Sequence, residues 1–422
     1  MVLEISRAFF GMSIFFFLLL EFDLTGGEQK VAVIGGGQNK FNIGISITIL
    51  YPFHYTGIGG TSAAFFLRQK LSRKFDIELI DNGEGLGGRV ATVHVPSVRR
   101  NYEIGGSIIH SSNKLMVDFL DICDLKKKAT PPDDPFTLHK DGEIVFQVRV
   151  VQKSFSYNIS NFQEWGYPLL DKVRIGLRYG VESALKLEYF VDNLLKSFSS
   201  IYDELDKPDT HFKTVEEMLQ LMSPVSRKGD SSDEMMDLTK VTLAEKLLSL
   251  GVDPLLVEEL VTVATRVNYG QMPDSLHAFV GSVGLAGTGG SLWAVEGGNK
   301  MVASCNMRNA MATGYRGTAT GISRNEEGFT VKIEFEGAAP VTRDYDAVIV
   351  AAPLTSDLGA IKLPDDVDQD FPGHYHKTVA TVVQGELIPS AVGFTVRHMT
   401  GRKKRETILH LLFAGRFFVY HY

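Results

Sequence analysis

The sequence predicts an α/β fold in which a Rossmann-like nucleotide-binding domain is split in the sequence, with a largely helical cap domain between its parts. Two segments carry this prediction: a buried-strand pattern with a glycine-rich turn near the N terminus, and a second buried-strand pattern at Tyr345–Leu354. Amphipathic helical patterns fill the interval between them. The chain has 422 residues, 44% of them hydrophobic and 22% charged, which is typical of a globular protein with more than one core.

The first strand and the first helix flank an interrupted glycine motif. Val31–Ile34 is a short apolar run typical of a strand buried in a parallel sheet, and Thr61–Lys70 has the apolar spacing of a helix. Removing 20 residues, either 38–57 or 37–56, joins the flanks as VAVIGGGIGGTSAAFFL, which contains a complete G-x-G-x-x-G fingerprint. One of Gly37 or Gly57 then supplies the second glycine. The residues predicted to approach a pyrophosphate at the helix N terminus are Gly35, Gly37, Gly57, Gly59 and Gly60.

The interrupting segment 38–57 has an unusual composition. It is rich in Phe, Ile, Asn, Lys and Tyr, whose codons consist mostly of A and T. This favours a retained intron or a misplaced exon boundary over a functional insertion. The alternative is a surface excursion, because Ile43, Ile45, Ile47 and Ile49 alternate as in a strand.

The next motifs continue the pattern of a dinucleotide site. Phe75–Ile80 is predicted to be a second strand, and Asp81 follows it, 21 residues after Gly60, where a carboxylate can accept hydrogen bonds from a ribose. Two further glycine motifs, in Gly85–Arg89 and in NYEIGGSIIH at Asn101–His110, suit loops that pass under a flavin pyrophosphate. These motifs therefore favour a flavin dinucleotide as the cofactor. The residues of these two motifs expected to bind it are Gly87, Gly88, Arg89, Gly105 and Gly106.

Helical signals dominate the middle of the chain. Apolar residues recur at helical spacing from Leu187 to Ile201, and Thr214 with Glu217, as well as Thr242 with Glu245, fit capping boxes. Asp253-Pro254 is typical of a helix start. Downstream, the alternating run Gly328–Phe335 and the buried run Tyr345–Leu354 predict the return of the chain to the nucleotide-binding sheet.

The N terminus indicates the secretory pathway. Arg7 precedes an apolar run at Ala8–Leu20, which suits the core of a signal peptide and is too short for a typical membrane span; an uncleaved anchor is the alternative. Asn158-Ile-Ser fits a glycosylation acceptor. The predicted divisions are a signal peptide (1–24), the first part of the FAD-binding domain (25–115), a helical substrate or cap domain (116–275), the return to the FAD-binding and substrate domain (276–387), and a divergent tail (388–422).

Charge and cysteine content exclude other classes of function. The net charge is −7, and basic runs occur only at 126–128 and 402–405, so the chain has no extended cationic face and nucleic acid is not expected as a partner. The two cysteines, Cys123 and Cys305, lack the close spacing of a metal knuckle or a redox pair and are interpreted as buried thiols. No metal site is expected.

Several segments resemble the prenylcysteine oxidase family. They are GGTSAAFFLRQK, GGRVATV, YEIGGSIIH, RVNYGQ (Arg266–Gln271), LWAVEGGNK (Leu292–Lys300) and VIVAAPL. The cap segment VTLAEKLLSLGVDPLLVEELVTVATRVNYGQ is similar to the plant branch of the family, the farnesylcysteine lyases. The resemblance runs from about Gln29 to Leu387, interrupted by the segment 38–57.

This resemblance implies an FAD-dependent thioether oxidase of the lysosome or vacuole that acts with oxygen on prenylcysteine, such as farnesylcysteine. It implies release of cysteine, a prenyl aldehyde and hydrogen peroxide during degradation of prenylated proteins, without a side-chain nucleophile. By the same analogy Trp293, Glu296 and Asn299 are expected to border the flavin, with Trp293 and Tyr269 contacting substrate. Peripheral membrane association is a further expectation.

Two alternatives stay open at this point. The first is another flavin oxidoreductase of the amine-oxidase type, because the glycine motifs are shared more widely than the substrate. The second is a non-catalytic splice or gene-model variant that has lost FAD, which the segment 38–57 and the divergent tail would favour.

Overall fold

The computed structural model describes a defined part of the chain, and every structural statement below refers to that part. It comprises residues 18–19, 30–35, 57–71, 75–83, 85–96, 99–128, 135–140, 143–149, 169–207, 212, 214–222, 234–286, 292–355, 357, 361–367, 369–371, 373–376, 380–385 and 407–412. Gly37, Asn158 and all of the segment 38–57 except Gly57 lie outside the described residues.

The described residues form the following strands and helices. The strands are β1 (Leu18–Leu19), β2 (Lys30–Gly35), β3 (Asp76–Asp81), β4 (Thr92–Val95), β5 (Arg100–Glu103), β6 (Ile109–His110), β7 (Pro135–Lys140), β8 (Glu143–Arg149), β9 (Leu292–Trp293), β10 (Thr313–Arg316), β11 (Thr318–Arg324), β12 (Phe329–Glu334), β13 (Val341–Tyr345), β14 (Ala347–Ala351), β15 (Ala380–Gly385) and β16 (Thr407–Leu412). The helices are α1 (Ile58–Lys70), α2 (Lys114–Ile122), α3 (Leu169–Tyr179), α4 (Val181–Leu205), α5 (Val215–Leu221), α6 (Glu234–Asp237), α7 (Leu243–Ser249), α8 (Pro254–Leu256), α9 (Thr262–Tyr269), α10 (Ala278–Ala286) and α11 (Lys300–Ala310), with a π-helical turn at Val257–Val261 between α8 and α9.

A five-stranded sheet forms the nucleotide-binding domain. Its order is β1-β14-β2-β3-β10, and β14, β2, β3 and β10 run parallel, with β1 antiparallel at one edge. The strand β2, predicted from an unbroken apolar run, pairs with β3 on one side and with β14 on the other. The two parts of the domain, far apart in the sequence, therefore meet in one sheet, and the predicted Rossmann-like fold is confirmed.

Two helices pack together against this sheet. The α1 and α11 helices contribute small side chains, such as Ala63, Ala64 and Ala310, to a core that also contains Ile77 and Leu79 of β3. A buried hydrogen bond from Nδ2 of Asn306 to Oγ of Ser62, at 3.1 Å, joins the two helices. Small residues let these helices approach closely, so the loop before each helix is held at the same edge of the sheet.

The interval between the two parts of the sheet is largely helical, as predicted. The long helix α4 covers the periodic apolar run, and Phe198 and Phe279 are in contact in its core with α10. The predicted capping box of Thr242 and Glu245 is present in both directions, and Asp253 caps α8 with proline at its first position. The antiparallel hairpin of β7 and β8 was not predicted.

The interpretation of the two cysteines as buried thiols is wrong. Cys123 follows α2, Cys305 lies in α11, and the two form a disulfide with Cα atoms 5.9 Å apart. The pairing was missed because 182 residues separate the two cysteines, and only the folded sheet brings α2 and α11 together.

The N-terminal apolar run is described only at Leu18 and Leu19. These residues form the edge strand β1, which pairs with Ile349 and Val350 of β14. In the part of the chain that the structure describes, no helix combines the length and the apolarity needed to cross a bilayer.

Candidate functional site

The N terminus of α1 faces the second glycine loop. Gly57 is the N-cap residue of α1, and its carbonyl accepts hydrogen bonds from both N and Oγ1 of Thr61, at 3.1 and 3.2 Å. Gly59 and Gly60 lie in the first turn, Gly60 is buried, and the first turn carries no acidic side chain. The orphan backbone N–H groups of this turn and the positive end of the helix dipole favour an anion such as a pyrophosphate. Gly35 ends β2 on the other side of the interruption.

The loop Gly85–Arg89 passes against this helix start. Gly57 and Gly87 form an isolated parallel bridge, and Gly87 and Gly88 have φ values of +106° and +56°. A Cβ atom on Gly88 would lie 3.0 Å from Cα of Gly57, and one on Gly87 would lie 2.2 Å from the carbonyl oxygen of Val90. Only glycine permits this approach of two backbones. The structure thus brings together two predicted motifs.

The third glycine motif packs on the same loop. The N–H of Gly106 donates to the carbonyl of Arg89 at 2.9 Å, and a Cβ atom on Gly105 would lie 2.0 Å from that oxygen. The guanidinium of Arg89 lies over the ring of Tyr375, 5.6 Å from its centroid, and Arg89 is exposed. An exposed guanidinium next to two glycine loops can reach an anionic ligand.

A fourth segment, Gly297–Asn299, completes the group of loops. The side chain of Asn299 accepts a hydrogen bond from the N–H of Val295 at 2.8 Å and donates one to the carbonyl of Gly106 at 3.0 Å. The N–H of Asn299 donates to Oε1 of Glu103 at 2.6 Å. The sequence interpretation named Asn299 by analogy but missed Glu103, although Glu103 lies only two residues before the predicted Gly105–Gly106 motif.

Asp81 lies where the sequence predicted it, at the end of β3. It is buried, its Oδ1 accepts the N–H of Gly83 at 2.6 Å, and its carbonyl accepts the N–H of Gly317 at 3.0 Å. The first contact holds the carboxylate against the turn after β3, and the second joins the backbone of β3 to the chain that follows β10. This is the carboxyl edge of the parallel sheet, where dinucleotide folds bind their ligand.

The two residues expected to contact substrate lie in different domains. Trp293 is buried in β9, pairs with Ile109 of β6, and has Nζ of Lys127 5.0 Å from its ring centroid. Its Nε1 has no hydrogen-bond partner among the described residues. Tyr269 lies at the end of α9, where its hydroxyl donates to the carbonyl of Val280 at 3.0 Å and burial raises its pKa. Trp293 therefore lies beside the glycine loops, whereas Tyr269 packs within the helical domain.

The residues present fit a dinucleotide cofactor. Cβ atoms at Gly87, Gly105 and Gly298 would lie 2.2, 2.0 and 2.5 Å from neighbouring atoms, so the three loops pack closely. The N terminus of α1 lies beside the first of them, and Arg89 supplies a positive charge. Searching the described residues for groups of His, Cys, Asp and Glu that could hold a metal ion found none.

Two models of known protein families match parts of the chain. The model of an NAD(P)-binding Rossmann-like domain matches residues 56–123, which contain α1, β3 and the first glycine loops. The model of the prenylcysteine lyase family matches residues 162–417, more than half of the chain.

Curated proteins and solved structures are similar over most of the chain. Prenylcysteine oxidase 1 of Homo sapiens is 31% identical over 375 residues, which cover 86% of this chain and 64% of that protein. Its Bos taurus counterpart is 29% identical over 341 residues, covering 78% and 61%. The chain thus spans less than two thirds of the length of these relatives. A fatty acid isomerase from P. acnes, a solved structure, has a TM-score of 0.47 at 14% identity and covers 81% of this chain and 62% of that one.

Proposed function

The chain belongs to the prenylcysteine lyase family, and we propose that it is an FAD-dependent oxidase that cleaves the thioether of prenylcysteine. The observation that carries the proposal is the close packing of the glycine loops Gly85–Arg89 and Gly105–Gly106 beside the N terminus of α1, an arrangement suited to the pyrophosphate of a dinucleotide. Curated relatives named as prenylcysteine oxidases support the choice of substrate.

The chain's own residues would hold the cofactor by its phosphates and its ribose. The N–H groups of the first turn of α1 and the loop at Gly87–Gly88 would accommodate the pyrophosphate, with Arg89 as counter-charge. Asp81 would accept hydrogen bonds from the adenosine ribose, because it ends the strand next to that loop. A bound flavin supplies the two-electron oxidation of the prenyl carbon next to sulfur, with oxygen as the final acceptor.

The proposed reaction balances without a side-chain nucleophile. Prenylcysteine, water and oxygen give a prenyl aldehyde, cysteine and hydrogen peroxide: the carbon–sulfur bond breaks, the carbon takes its oxygen from water, and dioxygen takes two electrons and two protons. The protein's task in such a reaction is to orient the prenyl carbon, exclude bulk water from the tail and admit one water molecule. Trp293, which lies in an apolar cluster with Phe65, Ile109 and Met116, is the residue that we place beside the isoprenoid tail.

We also propose that the protein acts in the lysosome or vacuole after passage through the secretory pathway. The disulfide between Cys123 and Cys305 supports an oxidising route, since such bonds persist in secretory compartments. Peripheral membrane association remains part of the proposal. Its support is a row of exposed apolar side chains along α3 and the start of α4, formed by Val173, Leu177, Val181, Leu185 and Tyr189.

The experiment is to purify the protein from a secretory host, release and identify its chromophore, and assay it with a series of thioethers. We expect FAD, and equal amounts of cysteine and peroxide from farnesylcysteine. Shortening the tail by one isoprene unit should lower kcat/KM far more than methylating the carboxylate, because each buried CH₂ contributes about 0.8 kcal/mol whereas an exposed ion pair contributes about 0–1 kcal/mol.

Three outcomes would contradict the proposal. Peroxide without cysteine, or a preference for a simple amine, would indicate an amine oxidase. A folded protein without flavin would indicate a non-catalytic member of the family.

A further inference from the structure

Glu103 is a buried carboxyl group with only one of its oxygens engaged. It ends β5, and the residue is 7% exposed. Oε1 accepts the N–H of Asn299 at 2.6 Å, while Oε2 is buried and has no hydrogen-bond partner among the described residues. A buried carboxylate normally engages both oxygens, because an unsatisfied charged oxygen is costly away from water.

The backbone around Glu103 is built to admit it. Gly298 has φ +113°, and a Cβ atom there would lie 2.5 Å from Cγ2 of Thr92 and 3.4 Å from Oε1 of Glu103. Thr92 is the residue paired with Glu103 across the β4–β5 ladder. A glycine at this position lets the turn at Gly297–Asn299 close over the carboxyl group and present the N–H of Asn299 to it.

Through Asn299, Glu103 is connected to two of the converging loops. The side chain of Asn299 reaches the carbonyl of Gly106 in one loop and the N–H of Val295 before the other. Moving Oε1 would release the N–H of Asn299 and so disturb both contacts. Glu103 lies 196 positions from Asn299, and this hydrogen bond joins the two parts of the split domain directly.

The positive charges near Glu103 do not offset the effect of burial on the pKa of its carboxyl group. Burial raises the pKa of its carboxyl to about 7, although the bond from Asn299 and the positive charges of Lys128 and Lys300 act in the opposite direction. Lys128 follows α2, where its N–H donates to the carbonyl of Ala294 at 2.8 Å, and Lys300 begins α11. The proton of the neutral form belongs on Oε2, because Oε1 is the acceptor for Asn299.

We propose that Glu103 is a positioning residue of the cofactor site and that its neutral, protonated form holds the loops at Gly105–Gly106 and Gly297–Asn299 in the geometry that binds the cofactor. The inference rests on the proposed function, because the cofactor is the one proposed above. Ionisation would leave a buried charge with a single neutral donor, and the loops would separate to admit water to it. The site would then work best at the acidic pH of the compartment proposed for the protein.

The test compares the wild-type protein with Glu103→Gln and Glu103→Ala between about pH 5 and pH 8.5, a range that spans a carboxyl pKa near 7. Glutamine keeps an oxygen for the N–H of Asn299 and cannot ionise, whereas alanine removes the acceptor. Glu326→Gln is the matched control, because Glu326 is exposed and its substitution removes a negative charge that is not buried. Two quantities are measured: the Kd for FAD of the stripped protein, and hydrogen exchange of peptides covering 101–110 and 292–303.

We expect the Kd of the wild-type protein and of Glu326→Gln to rise about tenfold from pH 6 to pH 8, because about a tenth of a carboxyl with a pKa near 7 stays protonated at pH 8. The Kd of Glu103→Gln should stay constant, and that of Glu103→Ala should be raised throughout. Parallel pH profiles for the wild-type protein and Glu103→Gln would overturn the proposal, as would wild-type affinity in Glu103→Ala.

Hydrogen exchange separates this inference from the proposed function. If none of the proteins bound FAD, the proposed cofactor would be wrong. The exchange rates of the two peptides could still rise with pH more steeply than the intrinsic rate does. If they did so in the stripped wild-type protein but not in Glu103→Gln, the result would still support the role of Glu103 in holding the loops. Equal exchange in both would refute it.

Discussion

Cys123 at the end of α2 and Cys305 in α11 form a disulfide that joins elements on either side, in the sequence, of the helices α3 to α10. The α11 helix begins directly after the turn at Gly297–Asn299, and it packs on α1, whose N terminus lies against the loop Gly85–Arg89. The bond therefore anchors α2 to a helix that starts at one of the candidate cofactor loops.

Replacing both cysteines, as in Cys123→Ala with Cys305→Ala, should lower the free energy of unfolding by about 2–5 kcal/mol, because the bond closes a long loop in the unfolded chain. Chemical denaturation with and without reductant measures the loss. Reductant should not change the free energy of unfolding of the double variant. In the wild-type protein, reductant should lower the free energy of unfolding to the value of the double variant. Two titratable thiols in the native wild-type protein, without reductant, would argue against the bond.

Deleting residues 38–57 should raise the fraction of purified protein that carries flavin. The reason is geometric: the turn that presents amides to a pyrophosphate needs contiguous glycines, and the deletion brings Gly37 next to Ile58. Flavin per polypeptide is measured by absorbance after release. A control deletion within the tail 388–422 should leave the fraction unchanged, and equal occupancy with and without 38–57 would mean that the segment is a tolerated excursion.

Asp81→Ala should weaken FAD binding by about 1–3 kcal/mol, the usual effect of removing a buried hydrogen-bond partner. Asp81→Asn keeps an oxygen for the N–H of Gly83 and should lose less. The flavin that each variant retains after dialysis gives a first comparison. Titration of the stripped variants with FAD then gives the two Kd values. Unchanged retention in Asp81→Ala would reject its role at the ribose.

Gly105→Ala should destabilise the protein by about 1–3 kcal/mol and reduce its flavin content, because the new methyl group would meet the carbonyl oxygen of Arg89. Gly85→Ala is the matched control. Gly85 is exposed in the neighbouring loop, and a Cβ atom there has nothing within 4 Å. Thermal unfolding of both variants makes the comparison, and equal Tm values would show that the loops can move apart without cost.

Arg178→Ala should lower stability by about 1–3 kcal/mol, less than for a fully buried ion pair because Arg178 is partly exposed. Its guanidinium donates two hydrogen bonds, of 2.7 and 2.8 Å, to Glu259, which is buried in the π-helical turn. Tyr179→Phe removes a third donor to the same carboxylate and should cost about 1 kcal/mol. Urea unfolding gives both values, and a larger loss in Tyr179→Phe would contradict this ranking.

The elements that the sequence predicted are those whose signal is local. The apolar run of β2, the carboxylate at the end of β3 and the capping box at Thr242 each need only a few neighbouring residues to be recognised. The hairpin of β7 and β8 was missed although its signal is local: Asp141-Gly142 separates the two strands in the sequence and is typical of a hairpin turn.

Apart from this hairpin, the features that sequence reasoning missed depend on residues far apart in the chain. The disulfide requires α2 and α11 to meet, and the importance of Glu103 depends on its burial and on Asn299. A glutamate before two glycines is ordinarily solvated, so its sequence context predicts neither its burial nor its single partner.

The strand order of the parallel sheet has a consequence for synthesis on the ribosome. The central strand β2 emerges early, but its neighbour β14 is among the last described elements of the domain, so the sheet has a high contact order and cannot close until nearly all of the domain has been translated. The core of α4 and α10 lies within the helical segment, so this segment can fold before that point. During this interval β2 and β3 expose an unpaired edge, and the nascent chain would depend on chaperones of its compartment to prevent aggregation.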